Sequence, residues 1–195
     1  MQRAMNALMR NQHPRHRIDV DRYYAMVTEG VLAEDARVEL IDGVIVDMPP
    51  IGCPHGAMVD CLTRRLGKVL DEHAWLRVQG VVRLDRFSEP QPDLALLVPR
   101  KGYGECHPRP EDVLLIIEVS DSTLRYDLDI KLPLYARHEI PEVWIVDIGG
   151  GLIHFFRSPR GGRFSENSST ENPGIVSLAA LPEVHLDLTD VFEAT

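Results

Sequence analysis

PDLALLV at residues 92–98 and DVLLIIEVS at residues 112–120 decide the fold. Each is a nearly unbroken run of Leu, Ile, Val and Ala of strand length, the pattern of a strand covered on both faces, so both belong at the centre of a sheet. A helical segment around 127–138 follows, and then VWIVD at 143–147. Strand, helix and strand in that order predict a crossover unit joining two parallel strands.

Working outward, HGAMVDCLTRRLGKVLDEH (55–73) places Met58, Cys61, Leu62, Leu66, Val69 and Leu70 on one face with charges opposite, which predicts an amphipathic helix. Before it, RVELIDGVIVDM (37–48) holds two β-rich runs around Asp42-Gly43, a hairpin turn signal, so strands are expected near 37–41 and 44–48. DVDRYYAMVTEGVL (19–32) spaces Tyr23, Met26, Val27 and Val31 helically, with Asp19 or Asp21 available as a cap. WLRVQ (75–79), VVRL (81–84) and LIHFF (152–156) read as further strands, and the last third, with Pro159, Gly161, Gly162, Pro173 and Gly174, as peripheral strands and loops. A 195-residue chain without an internal repeat suits one domain over 19–195 behind a basic leader, 1–18, that carries Arg3, Arg10, Arg15 and Arg17 and no acid before Asp19.

The composition is that of an ordinary globular protein, 44% hydrophobic and 26% charged. The sequence carries neither an 18-residue apolar stretch nor the apolar core of a secretory signal, so the expectation is a cytoplasmic protein without a membrane span. Cys53, Cys61 and Cys106 follow no CxxC spacing, which points to buried thiols instead of a disulfide framework or zinc cluster. A net charge of −9 opposes nucleic-acid binding in bulk, yet local arginines and lysines can still form a positive face.

Asp93 opens one central strand and Glu118 closes the next. Carboxylates bordering buried strands must be solvated, paired or bound to a cation, and two that converge offer the hard oxygen ligands suited to Mg²⁺ or Mn²⁺. Alternatively, each marks an exposed strand end. Lys131, 13 positions after Glu118, is one of few cations near that strand and could stand beside a metal to meet charge developing on a phosphate; as the partner of Asp127 it would instead be an ordinary i,i+4 surface pair.

The runs PDLALLV, LLIIEVSDST, YDLDIKLPLYA and IPEVWIVD, preceded by RVELIDGVIVDMPP and His55, together resemble the Uma-two family of bacterial restriction-endonuclease-like proteins within the PD-(D/E)XK nuclease superfamily, over roughly residues 20 to 150. The resemblance implies an α/β (α+β) restriction-endonuclease-like fold, a mixed β-sheet flanked by helices. It matches Asp93 to the PD aspartate, Glu118 to the second acid and Lys131 to the lysine, and implies Mg²⁺ or Mn²⁺ as cofactor. The superfamily's usual lysine position, two after the acid, holds Ser120 here, so the resemblance moves that role to Lys131. Glu39 matches a further acid of the early hairpin, a third metal ligand or water-orienting group, or else an exposed strand residue. Pro133 either sets the helix start near Asp129 or bends the helix. His55 is read as a capping or surface residue ahead of an acid/base, and Tyr135 as a packed ring ahead of an orienting group for Lys131.

Nucleic-acid hydrolysis, with DNA as the substrate and a twofold dimer for symmetric cleavage, is the favoured expectation. A non-catalytic nucleic-acid-binding or regulatory module that keeps the fold is the alternative. A hydrolase of another phosphorylated substrate is a third. Gly102-Tyr103-Gly104 lacks the lysine of a phosphate loop, Ser120 lacks a nucleophile elbow, and the Cys53/His55 and Cys106/His107 spacings fit no zinc site.

Overall fold

The computed structural model describes residues 16–193. It divides into two compact units, one of residues up to Met48 with Arg86–Glu89 and one of Pro49–Asp85 with Pro90 onward. The basic leader falls outside the described residues up to position 15.

In the first unit, α1 (Val20–Thr28) is capped by Asp19, whose side chain accepts a hydrogen bond from the Arg22 N–H. β1 (Val38–Ile41) and β2 (Val44–Asp47) pair antiparallel across Asp42-Gly43. Both turn residues have positive φ, 50° and 78°, the backbone of a tight hairpin turn that Asp-Gly favours. The Ile18 N–H reaches the Gly43 carbonyl, and Glu89 bridges to Leu40.

The second unit is built on a six-stranded sheet in the order β3-β4-β5-β6-β7-β8: β3 (Trp75–Val78), β4 (Leu94–Leu97), β5 (Val113–Ser120), β6 (Glu142–Asp147), β7 (Leu152–Arg160) and β8 (Arg163–Thr170). Only β5 and β6 run parallel, joined by the expected helical crossover. The two apolar runs that opened the sequence reading are the inner strands β4 and β5, buried throughout except for Leu114. α2 (Cys53–Gly67) lays Met58, Leu62 and Leu66 against one sheet face, where Leu94, Leu96, Leu115, Ile117, Val119, Trp144 and Val146 complete the core. Two short strands, β9 (Ile175–Ser177) and β10 (His185–Asp187), form a separate antiparallel pair, and neighbouring Leu178, Val184 and Leu188 enter the same core.

Two expectations fail here. VVRL is not a strand. The Val82 and Arg83 N–H groups bond the carbonyls of Pro90 and Pro108, so proline-containing loops take the place of a regular ladder. Nor are the thiols uniformly buried: Cys61 is, on the inward face of α2, whereas Cys53 at the helix start and Cys106 in a turn are exposed.

The crossover is more irregular than a helix read by its period. α3 (Leu124–Tyr126) passes into a π turn over Asp127–Lys131 and then into α4 (Leu132–Arg137), which holds Pro133 in its first turn. The Leu132 N–H donates to the Asp127 carbonyl five residues back. Proline has no N–H for the Asp129 carbonyl, and the widened turn falls where that bond is missing, so the helix runs on from Leu124 and does not start at Asp129.

Candidate active site

β4 and β5 are antiparallel with Leu94 opposite Ile117, so Asp93, one residue before β4, falls opposite Glu118. Residues directly opposite share one sheet face. The Asp93 carboxylate also substitutes for a ladder partner: its Oδ2 accepts the Val119 N–H at 2.9 Å. Its Oδ1 lies 3.1 Å from His55 Nε2 and 3.5 Å from Gln79 Nε2. His55 is thus neither a cap nor a surface residue. Gly52 is the N-cap of α2, and the imidazole three residues on is turned toward Asp93, with 17% of the side chain exposed.

Glu118 is enclosed. Its Oε1 accepts from Lys131 Nζ at 3.0 Å and from the Tyr135 hydroxyl at 2.5 Å. Lys131 and Tyr135 project from the same face of the crossover helix, four residues apart, and both are buried. Burial pushes the Glu118 carboxyl up to about 8, with Lys131 as the largest opposing influence and the charges of Asp127 and Asp93 adding to the rise.

Asp127, in the alternative reading the exposed i,i+4 partner of Lys131, is buried instead, and its Oδ2 accepts from Ser120 Oγ and Thr123 Oγ1, both at 2.7 Å. Burial raises its carboxyl as well, against the pull of Lys131. The signal available in the sequence was the pair of hydroxyls, Ser120 and Thr123, upstream of an acid at the start of a helix.

The second unit therefore brings together Asp93, Glu118 and Lys131, with His55, Tyr135, Ser120 and Asp127 around them. Glu39 belongs to the first unit. It lies on β1 opposite Val46 and is buried, not the exposed strand residue of the bland reading. Among the described residues no group of three or more His, Cys, Asp and Glu side chains converges as a ready metal cage. The donor set still suits a hard divalent cation, because Mg²⁺ is commonly held by one or two carboxylates and completes its shell with water and phosphate oxygens.

A family model described as "Putative restriction endonuclease" matches residues 20–189. The chain belongs to this family, Uma2. A crystal structure of a putative nuclease from Anabaena variabilis ATCC 29413 is similar to the chain with a TM-score of 0.69 at 17% identity, covering 91% of this chain and 98% of that one. At that identity the likeness speaks to the fold, and the restriction-endonuclease-like mixed sheet flanked by helices is the architecture that the sequence led one to expect. No curated protein matches the sequence. Among the described residues of this family member, no helix is long and apolar enough to cross a membrane.

Proposed function

We propose that the protein is a metal-dependent nuclease that hydrolyses phosphodiester bonds, DNA first, in the cytoplasm. The observation that carries this reading is the meeting of Lys131 Nζ with Glu118 Oε1 at 3.0 Å across 13 residues, with Asp93 opposite Glu118 on the neighbouring strand. Asp93 and Glu118 are the proposed ligands for Mg²⁺ or Mn²⁺. A bound ion would supply a hydroxide-like water and polarise the phosphoryl group. The Lys131 ammonium meets the negative charge that grows on the phosphate as water attacks. Tyr135 fixes the Glu118 carboxyl, His55 orients Asp93, and Ser120 and Thr123 hold Asp127 at the helix start. A twofold dimer would present two such sites to the two strands of a duplex.

One observation favours the alternative, a non-catalytic module that keeps the fold. Glu118 is already occupied by Lys131 and Tyr135, and a carboxyl pushed up to about 8 is a poor ligand near neutrality unless a metal displaces its proton. Incubation of the purified protein with DNA and RNA in Mg²⁺, Mn²⁺ or chelator separates the two. Metal-dependent cleavage that falls more than tenfold in Lys131→Ala, with Mn²⁺ affinity retained, supports catalysis; equal rates in parent and Lys131→Ala remove Lys131 from the reaction. Binding without cleavage in every metal supports the module.

A further inference from the structure

The sheet face that carries Asp93 and Glu118 continues onto β3, among the described residues an outer strand of the six-stranded sheet. Trp75 lies opposite Leu97 and Arg77 opposite Ala95, and the ladder runs on through the Gln79 N–H to the Asp93 carbonyl at 2.7 Å. Alternation along a strand puts Trp75, Arg77 and Gln79 on one face, and residues directly opposite share that face, so the stripe ends at Asp93. Gln79 Nε2 stands 3.5 Å from Asp93 Oδ1, and the Gln79 backbone has a positive φ of 46°. Such a conformation persists only where the surroundings impose it; here the Asp93 carbonyl accepts the Gln79 N–H, and the Gln91 side chain donates to the Gln79 carbonyl at 2.5 Å.

At the other end of the stripe Trp75 is 47% exposed, whereas Trp144, the second of the two tryptophans, is fully buried. The Tyr103 ring stands edge-on to Trp75 with centroids 5.5 Å apart, and its hydroxyl donates to the Val98 carbonyl at 2.9 Å. Arg77 and Arg100 flank that ring, their Cζ atoms 5.8 Å and 4.4 Å from its centroid. Gly80 makes room for Arg77, since a Cβ there would lie 2.6 Å from Arg77 Cδ and Cγ. The Arg77 stem therefore runs past Gln79 toward the Asp93 end of the strand, where Nη1 donates to the Val81 carbonyl at 3.1 Å. Arg100 is taken up by Asp112, so Arg77 and the exposed Lys101 supply the positive charge, against Glu105 as the acid of the neighbouring turn.

We propose that Trp75, Tyr103 and Arg77 form a platform that seats an unpaired nucleic-acid strand and leads it along β3 to Asp93, an assignment that rests on the nuclease reading of the carboxylate site. Trp75 and Gln79 are about 13 Å apart along the strand at about 3.3 Å per residue. An exposed aromatic ring stacks a base while a neighbouring cation tracks the phosphates, and the ring takes a base only where that base is free of its own stack. A second copy of this chain, meeting the same patch across a twofold axis, would set these cations against themselves.

The test uses the full chain in chelator, between about 50 and 200 mM salt, as the parent, Trp75→Ala, Trp75→Phe, Arg77→Ser and the control Arg64→Ser, an exposed position on the helix that covers the other sheet face. Affinity for a short labelled oligothymidylate and for a duplex of equal length is read by anisotropy, and tryptophan emission is followed as unlabelled strand is added. The parent should prefer the single strand, and the strand should quench its emission, because Trp75 is the accessible tryptophan. Trp75→Ala should bind about tenfold more weakly, with Trp75→Phe recovering most of the loss at an equal melting temperature, a pattern that misfolding cannot give. Arg77→Ser should lower the slope of log K against log salt by about 0.7, while Arg64→Ser keeps the parent slope. Parent-like affinity and slope in both Trp75→Ala and Arg77→Ser, or a preference for the duplex, would overturn the platform and leave the nuclease reading to the Mg²⁺ and Mn²⁺ cleavage assay. A parent that binds neither probe would also overturn the platform, and only a simultaneous lack of cleavage would take the nuclease reading with it. A dimer in sedimentation that Trp75→Ala breaks, with strand binding unchanged, would make this edge an interface between copies instead.

Discussion

Replacement of Lys131 by methionine tests the site through stability alone, with no substrate required. The lysine and Glu118 side chains are 5% and 4% exposed, and their charged atoms are 3.0 Å apart. Removal of one partner of such a pair leaves a buried charge that destabilises by about 3–5 kcal/mol while the remaining group stays ionised. Glu118, however, can escape by taking a proton. Its folded-state carboxyl is raised from 4.5 to about 8 by burial even in the presence of Lys131, and loss of the lysine removes the largest influence holding it down. A raised folded value means a stability contribution fully present below 4.5 and lost as pH rises through about 8. In chelator, Lys131→Met should therefore differ from the parent by about 1 kcal/mol or less at low pH, where the carboxyl is neutral and methionine fills most of the lysine's volume. The gap should stay flat up to about pH 8, where the parent's carboxyl begins to ionise, and widen above it by up to about 1.4 kcal/mol per pH unit. Urea unfolding of both proteins at several values between pH 5 and 9 reads this directly. Equal differences at every pH would show that the Glu118–Lys131 charge interaction is not what holds the crossover helix down, and the electrostatic account of the site would go with it.

Mn²⁺ should raise the melting temperature of the parent, by linkage of about 2.7 kcal/mol at 100 times Kd, and calorimetry should find this binding abolished in Asp93→Asn and Glu118→Gln; retained binding in both would move the metal site elsewhere. Pro133→Ala restores an N–H to the Asp129 carbonyl and should favour a regular α turn, which shifts Lys131 off Glu118: the melting temperature should hold or rise while any cleavage rate falls, and an unchanged rate would dissociate the π turn from the site. Arg100 hydrogen-bonds Asp112 through Nε and Nη2, both at 2.7 Å, and holds its carboxyl below the ordinary 3.8. That depressed group adds stability above 3.8 and gives it up as pH falls through its lowered value, so Asp112→Asn should flatten the acid limb of the parent's pH-stability curve; an identical acid limb would contradict it.

The elements that the sequence announced are those with an unambiguous period. The apolar runs at 94–97 and 113–120 could only be inner strands, and the stripe of Met58, Leu62 and Leu66 only a helix face. Asp93 and Glu118 were legible as a pair because each interrupts such a run at its end. The rest depended on partners remote in sequence. VVRL has strand composition, yet the carbonyls of Pro90 and Pro108 claim its N–H groups. The π turn was invisible because side-chain spacing reports that a segment is helical and not how wide its turns are. His55 needed the end of β4 to arrive beside the first turn of α2, and Asp127 needed the end of β5 to offer Ser120.

The hydrogen bond from Ser120 to Asp127 bears on how such a site can change over evolutionary time. Ser120 lies two residues after Glu118, and it anchors the helix that carries Lys131. A lysine introduced at 120 would place a second ammonium in the same enclosed space and sever the anchor of the first. Loss of Lys131 first would leave three acids without a cation. Neither single step passes through a balanced intermediate, so the two placements of the lysine are separated by a valley that only a coupled change crosses.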